Sequence, residues 1–221
     1  MKNKKFLPKN LHSILIGIML GDGHLYKSSP TSNTRFEISF GRDRESFANW
    51  IGNLFKDYSN TGIQKVVTKN IKTPSTLNHN FRFKTKSMPV FNSYYNIFYK
   101  LSLTDSDSTI GQNKNTRGKY IKIVPLNIVD LMDPAVLAYL IMTDGNFDRG
   151  RNRVRIYTNS FTKAEVEALA EAIYIKFNIY TGVLLDRKDQ WILTIGAKQL
   201  DLLREIVRPH FEPSMLYRIG L

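Results

Sequence analysis

Two stretches decide the reading: Leu15-Ile-Gly-Ile-Met-Leu-Gly-Asp22-Gly23 and Leu137-Ala-Tyr-Leu-Ile-Met-Thr-Asp144-Gly145. Each is an apolar run that closes on a small or polar residue and then Asp-Gly. The two acids lie 122 positions apart (144 minus 22) in a chain of 221 residues. Gly17 and Gly21 leave one face of the first segment nearly bare if it is helical, so another helix can approach closely. Two such helices side by side would deliver both carboxylates to the same end of their interface. Close carboxylates repel one another, and a divalent cation reverses that preference. A metal site on a pseudo-twofold axis is therefore expected.

Outward from these anchors the chain repeats itself. In the first half, 11–22 is spaced as a helix, 35–41 alternates as a half-buried strand, and 45–58 has helical spacing through Phe47, Trp50, Ile51, Leu54 and Phe55. Residues 64–68 and 80–86 read as strands and 88–101 as a further helix. In the second half, 134–144 reads as a helix with Pro134 near its first turn, 151–158 as a strand, and 162–177 as a helix opening on Thr162-x-x-Glu165. Strands near 182–185 and 191–195 and a last helix over 197–207 follow, before Pro209 and Pro213. The same order of helices and strands appears twice. This predicts an α+β protein of two pseudo-twofold-related αββαββα subdomains, over 11–103 and 125–221. A basic arm over 1–10 and a polar, glycine-dotted linker over 104–124 complete the expected organisation.

The charge balance points to a partner. There are 32 Lys and Arg against 19 Asp and Glu, a net charge of +13. Residues 1–110 hold 16 basic and 7 acidic side chains, and residues 111–221 hold 16 and 12. Such a surplus favours a polyanion, nucleic acid first, because each cation placed on a phosphate releases a counterion. With no cysteine, a disulfide scaffold, thiolate zinc, an iron–sulfur centre and a thiol nucleophile are all excluded. Any metal must be held by oxygen or imidazole. The longest apolar stretch, 14–20, is broken by Gly17 and falls far short of the roughly 20 residues that span a bilayer, so a soluble protein with no membrane partner is expected. The opening MKNKKFLPKN is basic but polar and reads as a flexible arm rather than a signal or transit peptide.

Both anchor segments resemble the LAGLIDADG motif of homing endonucleases, and two copies at this spacing are similar to the single-chain, two-motif members of that family. Leu20 and Met142 stand where the motif name has its first Asp, and Tyr139 and Thr143 replace small residues; the acid before the final Gly is present in both copies. The resemblance implies saddle-shaped antiparallel sheets lying on DNA and a central interface of the two motif helices. It implies a magnesium-dependent double-strand cut, with short 3′ overhangs, in a long asymmetric target. Asp22 and Asp144 become catalytic acids and metal ligands, with the carbonyls of Gly21 and Thr143 as further oxygen ligands. Mn2+ is expected to substitute for Mg2+, and Ca2+ to bind without cleavage. The family also has a basic residue near each acid, and the matching positions are Lys122, before Pro125, and Arg218 in Met215-Leu-Tyr-Arg218. Lysine can shuttle a proton or polarise water, whereas arginine can only stabilise charge. Unequal cutting of the two strands is therefore expected. Both half-sites being covalently joined, a monomer is expected. Intron mobility and an organellar origin, mitochondrial before chloroplast, follow from the same resemblance and agree with the Lys, Asn, Ile and Tyr bias.

A strand with alternate basic residues can set one face on the major groove and bury the other. Arg35, Glu37 and Ser39 alternate with Phe36, Ile38 and Phe40; Arg82, Lys84 and Lys86 with Phe81, Phe83 and Thr85; Arg151, Arg153, Arg155 and Tyr157 with Asn152, Val154 and Ile156. With Lys27, Asn159, Arg187 and Lys188 these are the expected DNA contacts, arginines suiting guanine and lysines phosphate. The four histidines are scattered and read as surface or hydrogen-bonded residues, although His24 can approach a phosphate. Tyr94, Tyr95, Phe98 and Tyr99 read as core. Two alternatives stay open: an RNA maturase that helps a group I intron to fold, and a DNA-binding repressor without turnover.

Overall fold

The chain runs through α1 (Lys9–Leu20), β1 (His24–Lys27), β2 (Thr34–Gly41), α2 (Glu45–Leu54), β3 (Ile63–Lys69), β4 (Leu77–Lys84) and α3 (Pro89–Phe98). A short ribbon, β5 (Tyr99–Leu101) with β6 (Tyr120–Lys122), and a one-turn helix α4 (Ile128–Leu131) lead to the second half. That half is α5 (Pro134–Asp144), β7 (Gly145–Asp148), β8 (Arg153–Tyr157), α6 (Lys163–Phe177), β9 (Gly182–Arg187), β10 (Gln190–Ile195) and α7 (Leu200–Val207). The structure is a computed structural model describing residues 6–69, 77–101, 120–188 and 190–221, with backbone alone at 68, 69, 77 and 78.

The two antiparallel sheets have the same strand order, β1-β2-β4-β3 and β7-β8-β10-β9, so the predicted duplication is present in the topology. The helices sit on one face of each sheet because the inward residues of the strands are apolar: Phe36, Ile38 and Phe40 on β2, and Val154 and Ile156 on β8, are all buried. The two cores differ in chemistry. The first is aromatic, with Phe36, Phe55 and Phe83 at centroid separations of 5.4 to 6.3 Å. The second is aliphatic, built on Val166, Leu169, Ile173, Leu193, Ile195 and Leu203.

Between them lie α1 and α5. Every residue of α1 from Ser13 to Leu20 is buried, as is every residue of α5 from Val136 to Thr143, which marks central rather than surface helices. They touch through glycine. A Cβ built on Gly17 would sit 2.5 Å from the Val136 carbonyl oxygen and 2.8 Å from Tyr139 Cβ, and one on Gly21 would collide with Thr143 Oγ1 and Asp144 Oδ2. The bulky Tyr139 is accommodated because its hydroxyl accepts a 2.8 Å hydrogen bond from Trp50 Nε1 of α2. α5 starts where Asp133 caps Val136 N at 2.9 Å and Pro134 supplies a preset φ. The Thr162/Glu165 capping box forms as expected.

Several boundaries differ from the sequence reading. The helix expected over 88–101 ends at Phe98, and Tyr99–Leu101 turns into a strand that pairs with Tyr120–Lys122. The end of the expected 104–124 linker is thus ordered as β6, while 104–119 lies outside the described residues. Of the expected arm over 1–10, residues 1–5 lie outside them too. Leu7, however, is buried and donates its N–H to the Tyr94 hydroxyl at 3.1 Å, and α1 has begun by Lys9. A strand follows each Asp-Gly directly, at His24–Lys27 and Gly145–Asp148; both are too short for alternation to announce them. No described helix is long and apolar enough to cross a membrane.

Candidate active site and basic sheet faces

The packing of α1 on α5 brings Asp22, just past the end of α1, and Asp144, the last residue of α5, to the same end of the interface. Two bases meet them. Lys122 Nζ donates to the carbonyl oxygens of Gly21 at 2.6 Å and Gly23 at 2.9 Å, on either side of Asp22. It is aimed there because the β5–β6 ribbon pairs Lys122 with Tyr99, whose hydroxyl in turn accepts from Leu25 N at 3.2 Å. Arg218, in the 3-10 segment Pro213–Ile219, donates from Nη1 to the carbonyl of Gly145 and from Nε to the Tyr217 hydroxyl. Each base therefore holds the carbonyl of the glycine that follows one acid. The family resemblance paired Lys122 with Arg218, and both lie beside the glycines that follow the acids.

A third cation was missed. Arg44, in the 3-10 turn after β2, approaches Asp22 Oδ2 and the Thr143 carbonyl, both at 3.4 Å from Nη1. The Gly41-Arg-Asp-Arg44 run carries no periodicity to assign it to a site; only the reach of the Arg44 side chain to Asp22 and Thr143 does.

Burial dominates the electrostatics. Asp144 is pushed up to about 7, first by burial and then by the neighbouring charge of Asp22, against the pull of Lys122, Arg44 and Arg218. Asp22 is raised too, again mainly by burial, opposed by Arg44 and Lys122. Burial lowers Lys122 to about 8 although Asp144 and Asp22 favour its charged form. Two acids that resist ionising side by side are the arrangement a divalent cation relieves.

The donor set fits a hard cation. Two carboxylates and the carbonyls of Gly21 and Thr143 are all oxygen, and no described group of three His, Cys, Asp or Glu forms an all-side-chain cage. Two protein carboxylates with the remaining positions left to water or phosphate is the usual way in which magnesium-type ions are held beside a phosphate substrate. A cavity of about 250 Å3 lined by Asp22, His24, Glu37, Ile38 and Ser39 leads from Asp22 onto the first sheet.

The exposed sheet faces carry most of the expected contacts, with corrections. Register places His24, Tyr26, Arg35, Glu37, Ser39, Arg82 and Lys84 on one face of the first sheet. Lys27 falls on the opposite face, with Leu25 and Phe36, and its ammonium lies 5.6 Å from the Tyr95 ring centroid. The sequence reading counts it among the DNA contacts because β1 is too short to show which way it faces. Lys86 leaves the ladder, which ends at Lys84, when its N–H turns to the Tyr58 carbonyl. On the second sheet Arg153, Arg155 and Tyr157 share a face. Arg151 does not: it sits in the 3-10 turn Arg149–Arg151, capped by Asp148, and Asn152 adopts φ 45° before the strand begins. Asn159, Arg187 and Lys188 are exposed beyond the ends of the strands or at the β9 edge. The acids paired with these arginines, Asp148 and Asp186, and the ring of Tyr26 were missed as well. His24 is held by the Tyr99 hydroxyl at 3.0 Å, and burial lowers its pKa.

Comparison with known proteins agrees with this architecture. The LAGLIDADG DNA endonuclease family profile matches residues 12–203. The chain is 27% identical over 220 residues to the cytochrome b mRNA maturase bI2 of Saccharomyces cerevisiae, covering 97% of this chain and 48% of that protein. It thus spans about half the length of that relative. It is 29% identical over 143 residues to the intron-encoded endonuclease ai4 of Dictyostelium discoideum, covering 64% of this chain and 77% of that one. The fold is similar to that of the homing endonuclease I-WcaI bound to its DNA recognition sequence, with TM-score 0.78 and 23% identity over 99% of this chain and 89% of that chain.

Proposed function

Because the chain belongs to the LAGLIDADG DNA endonuclease family, we propose that it is a site-specific homing endonuclease that makes a double-strand break in a long, asymmetric DNA duplex. The observation that carries this reading is the convergence of Asp22 and Asp144 at one end of α1 and α5, each with a base on the carbonyl of the following glycine. In this reading Asp22, Asp144 and the carbonyls of Gly21 and Thr143 would hold divalent cations, Mg2+ in the cell, with Mn2+ able to substitute and Ca2+ supporting binding only. Bound there, such an ion would make a water nucleophilic and stabilise the charge on the leaving oxygen.

The chain's own groups do the rest. Lys122, whose pKa of about 8 lies close to neutrality, can exchange a proton at Nζ with water beside Asp22. Arg218 remains charged and stabilises negative charge beside Asp144. Arg44 reaches both halves of the site and orients Asp22. The two sheets grip opposite half-sites, the arginines on their faces reading bases and the lysines holding phosphates. With both halves in one chain, over 11–103 and 125–221 with 104–124 between them, a monomer suffices for both cuts. Short 3′ overhangs, intron mobility and an organellar, mitochondrial setting belong to the same proposal; the last draws on the cytochrome b mRNA maturase among the relatives.

That relative also supports a second reading, in which the basic chain assists folding of a group I intron RNA. Cleavage of a plasmid library of randomised duplex sites, with magnesium and with calcium, separates the two. Magnesium-dependent cuts at one sequence are expected. No cuts at any site, alongside retention of a group I intron RNA, would leave the maturase.

A further inference from the structure

Both sheets carry one arrangement that the motif helices do not explain. In the first, the Arg35 guanidinium lies 4.2 Å from the centroid of the Tyr26 ring, its cross-strand partner, and donates from Nε to Glu37 Oε1 at 2.5 Å. Glu37 also accepts from Arg82 Nη2 on β4, so one carboxylate, its side chain 11% exposed, ties arginines of two strands. In the second sheet, Arg155 lies 5.2 Å from the Tyr157 ring centroid and donates from Nη2 to Asp186. Its Nε is buried with no hydrogen-bond partner among the described residues. The acids come from unrelated places: Glu37 lies two residues beyond its arginine on β2, whereas Asp186 reaches across β10 from β9. The duplicated sequence does not dictate this; the same ring, arginine and acid have been assembled twice by different routes.

The physical consequences are specific. An unpaired arginine on a groove-facing sheet takes any phosphate and raises affinity for every duplex. A carboxylate beside it opposes a phosphate brought to the same spot, while a base edge bears no net charge. It also leaves part of the guanidinium available: Arg35 is bonded through Nε, and its two terminal nitrogens, without a partner among the described residues, are parallel donors that match guanine O6 and N7. The tyrosine ring under the guanidinium removes further side-chain freedom. We propose that Glu37 and Asp186 are positioning residues for sequence reading: Glu37 presets Arg35 and Arg82, and Asp186 presets Arg155, to select guanine in opposite half-sites and to reject phosphate. This rests on the reading that the chain binds a specific duplex.

The test is selection of bound sites from fully randomised duplexes by the whole chain in EDTA, for wild type, Glu37→Gln and Asp186→Asn, with salt titration on a random-sequence duplex. Wild type should enrich a site with guanine at defined positions in each half. Glu37→Gln should lose that preference in one half only and Asp186→Asn in the other, discrimination falling about tenfold. Affinity of each variant for random duplex should rise, with a log–log salt slope steeper by about one. A purely structural role would instead weaken binding across the whole site. Unchanged base profiles, or uniform weakening, overturn the proposal and leave specific DNA binding standing. No enrichment by wild type overturns both. If buried Glu37 does not tolerate glutamine, the Asp186→Asn profile decides alone.

Discussion

Gly17 packs directly against the backbone of Val136: an added methyl would lie 2.5 Å from the Val136 carbonyl oxygen. The nearest atom is backbone, so no side chain can swing away. Gly17→Ala must therefore push α1 from α5, at about 1–3 kcal/mol, or about 2–4 °C of melting temperature per kcal/mol at this chain length. The same displacement moves both acids, so cleavage should fall by more than DNA binding does. A melting temperature equal to that of wild type would mean that the helices do not approach this closely.

Asp22→Asn and Asp144→Asn remove charge from the converged pair while keeping its shape. Each should lower double-strand cleavage by at least about 1,000-fold and leave duplex affinity largely intact, since the sheet faces are untouched. Gel shifts and plasmid linearisation measure the two quantities separately. Full linearisation by either variant would remove the proposed mechanism.

Lys122 and Arg218 occupy matching places with different chemistry, and this asymmetry is measurable. Lys122→Met removes the proton-exchanging group and Arg218→Met a fixed charge, so the two variants should slow different strands. Nicked circular plasmid should accumulate in both, with the surviving cut on opposite strands. Equal slowing of both strands by each substitution would show that neither base serves one acid in particular.

The pH dependence of stability follows from the buried charges in the metal-free chain. Asp144 rises from 3.8 unfolded to about 7 folded, so its contribution is complete below about pH 4 and is lost as pH rises through 7. Asp22 is shifted in the same direction. Lys122 falls from 10.5 to about 8, so its contribution is complete above 10.5 and is lost as pH falls through 8. These groups together place a minimum of stability between about pH 7 and 8. Thermal melts in EDTA from about pH 5 to 10 should show it, and Asp144→Asn should flatten the acid limb. A divalent cation should raise the melting temperature most near the minimum. Melting temperatures that do not vary over this range would contradict the burial of the pair.

How much was legible can be followed residue by residue. The strands of 35–41 and 191–195 and the helices of 134–144 and 162–177 were readable because apolar spacing or a capping box is a local signal. The conclusion that Gly17 and Gly21 face a helix was readable because bare faces have few other uses. Lys27 was misassigned because a strand of four residues does not reveal which side it shows. Arg44, Asp148 and Asp186 were missed because their roles arise from neighbours 22, 5 and 31 positions away.

By itself, then, the sequence determined the repeated order of helices and longer strands, the two Asp-Gly acids and the excess of positive charge. Each of these is written in local periodicity, in a repeated motif or in net charge. Tertiary structure alone decided which cation touches which acid, which side of each sheet a given arginine occupies, and which carboxylates restrain the arginines. Those depend on strand register and on burial, which shift a pKa or orient a guanidinium only once segments distant in sequence have been packed within a few ångströms.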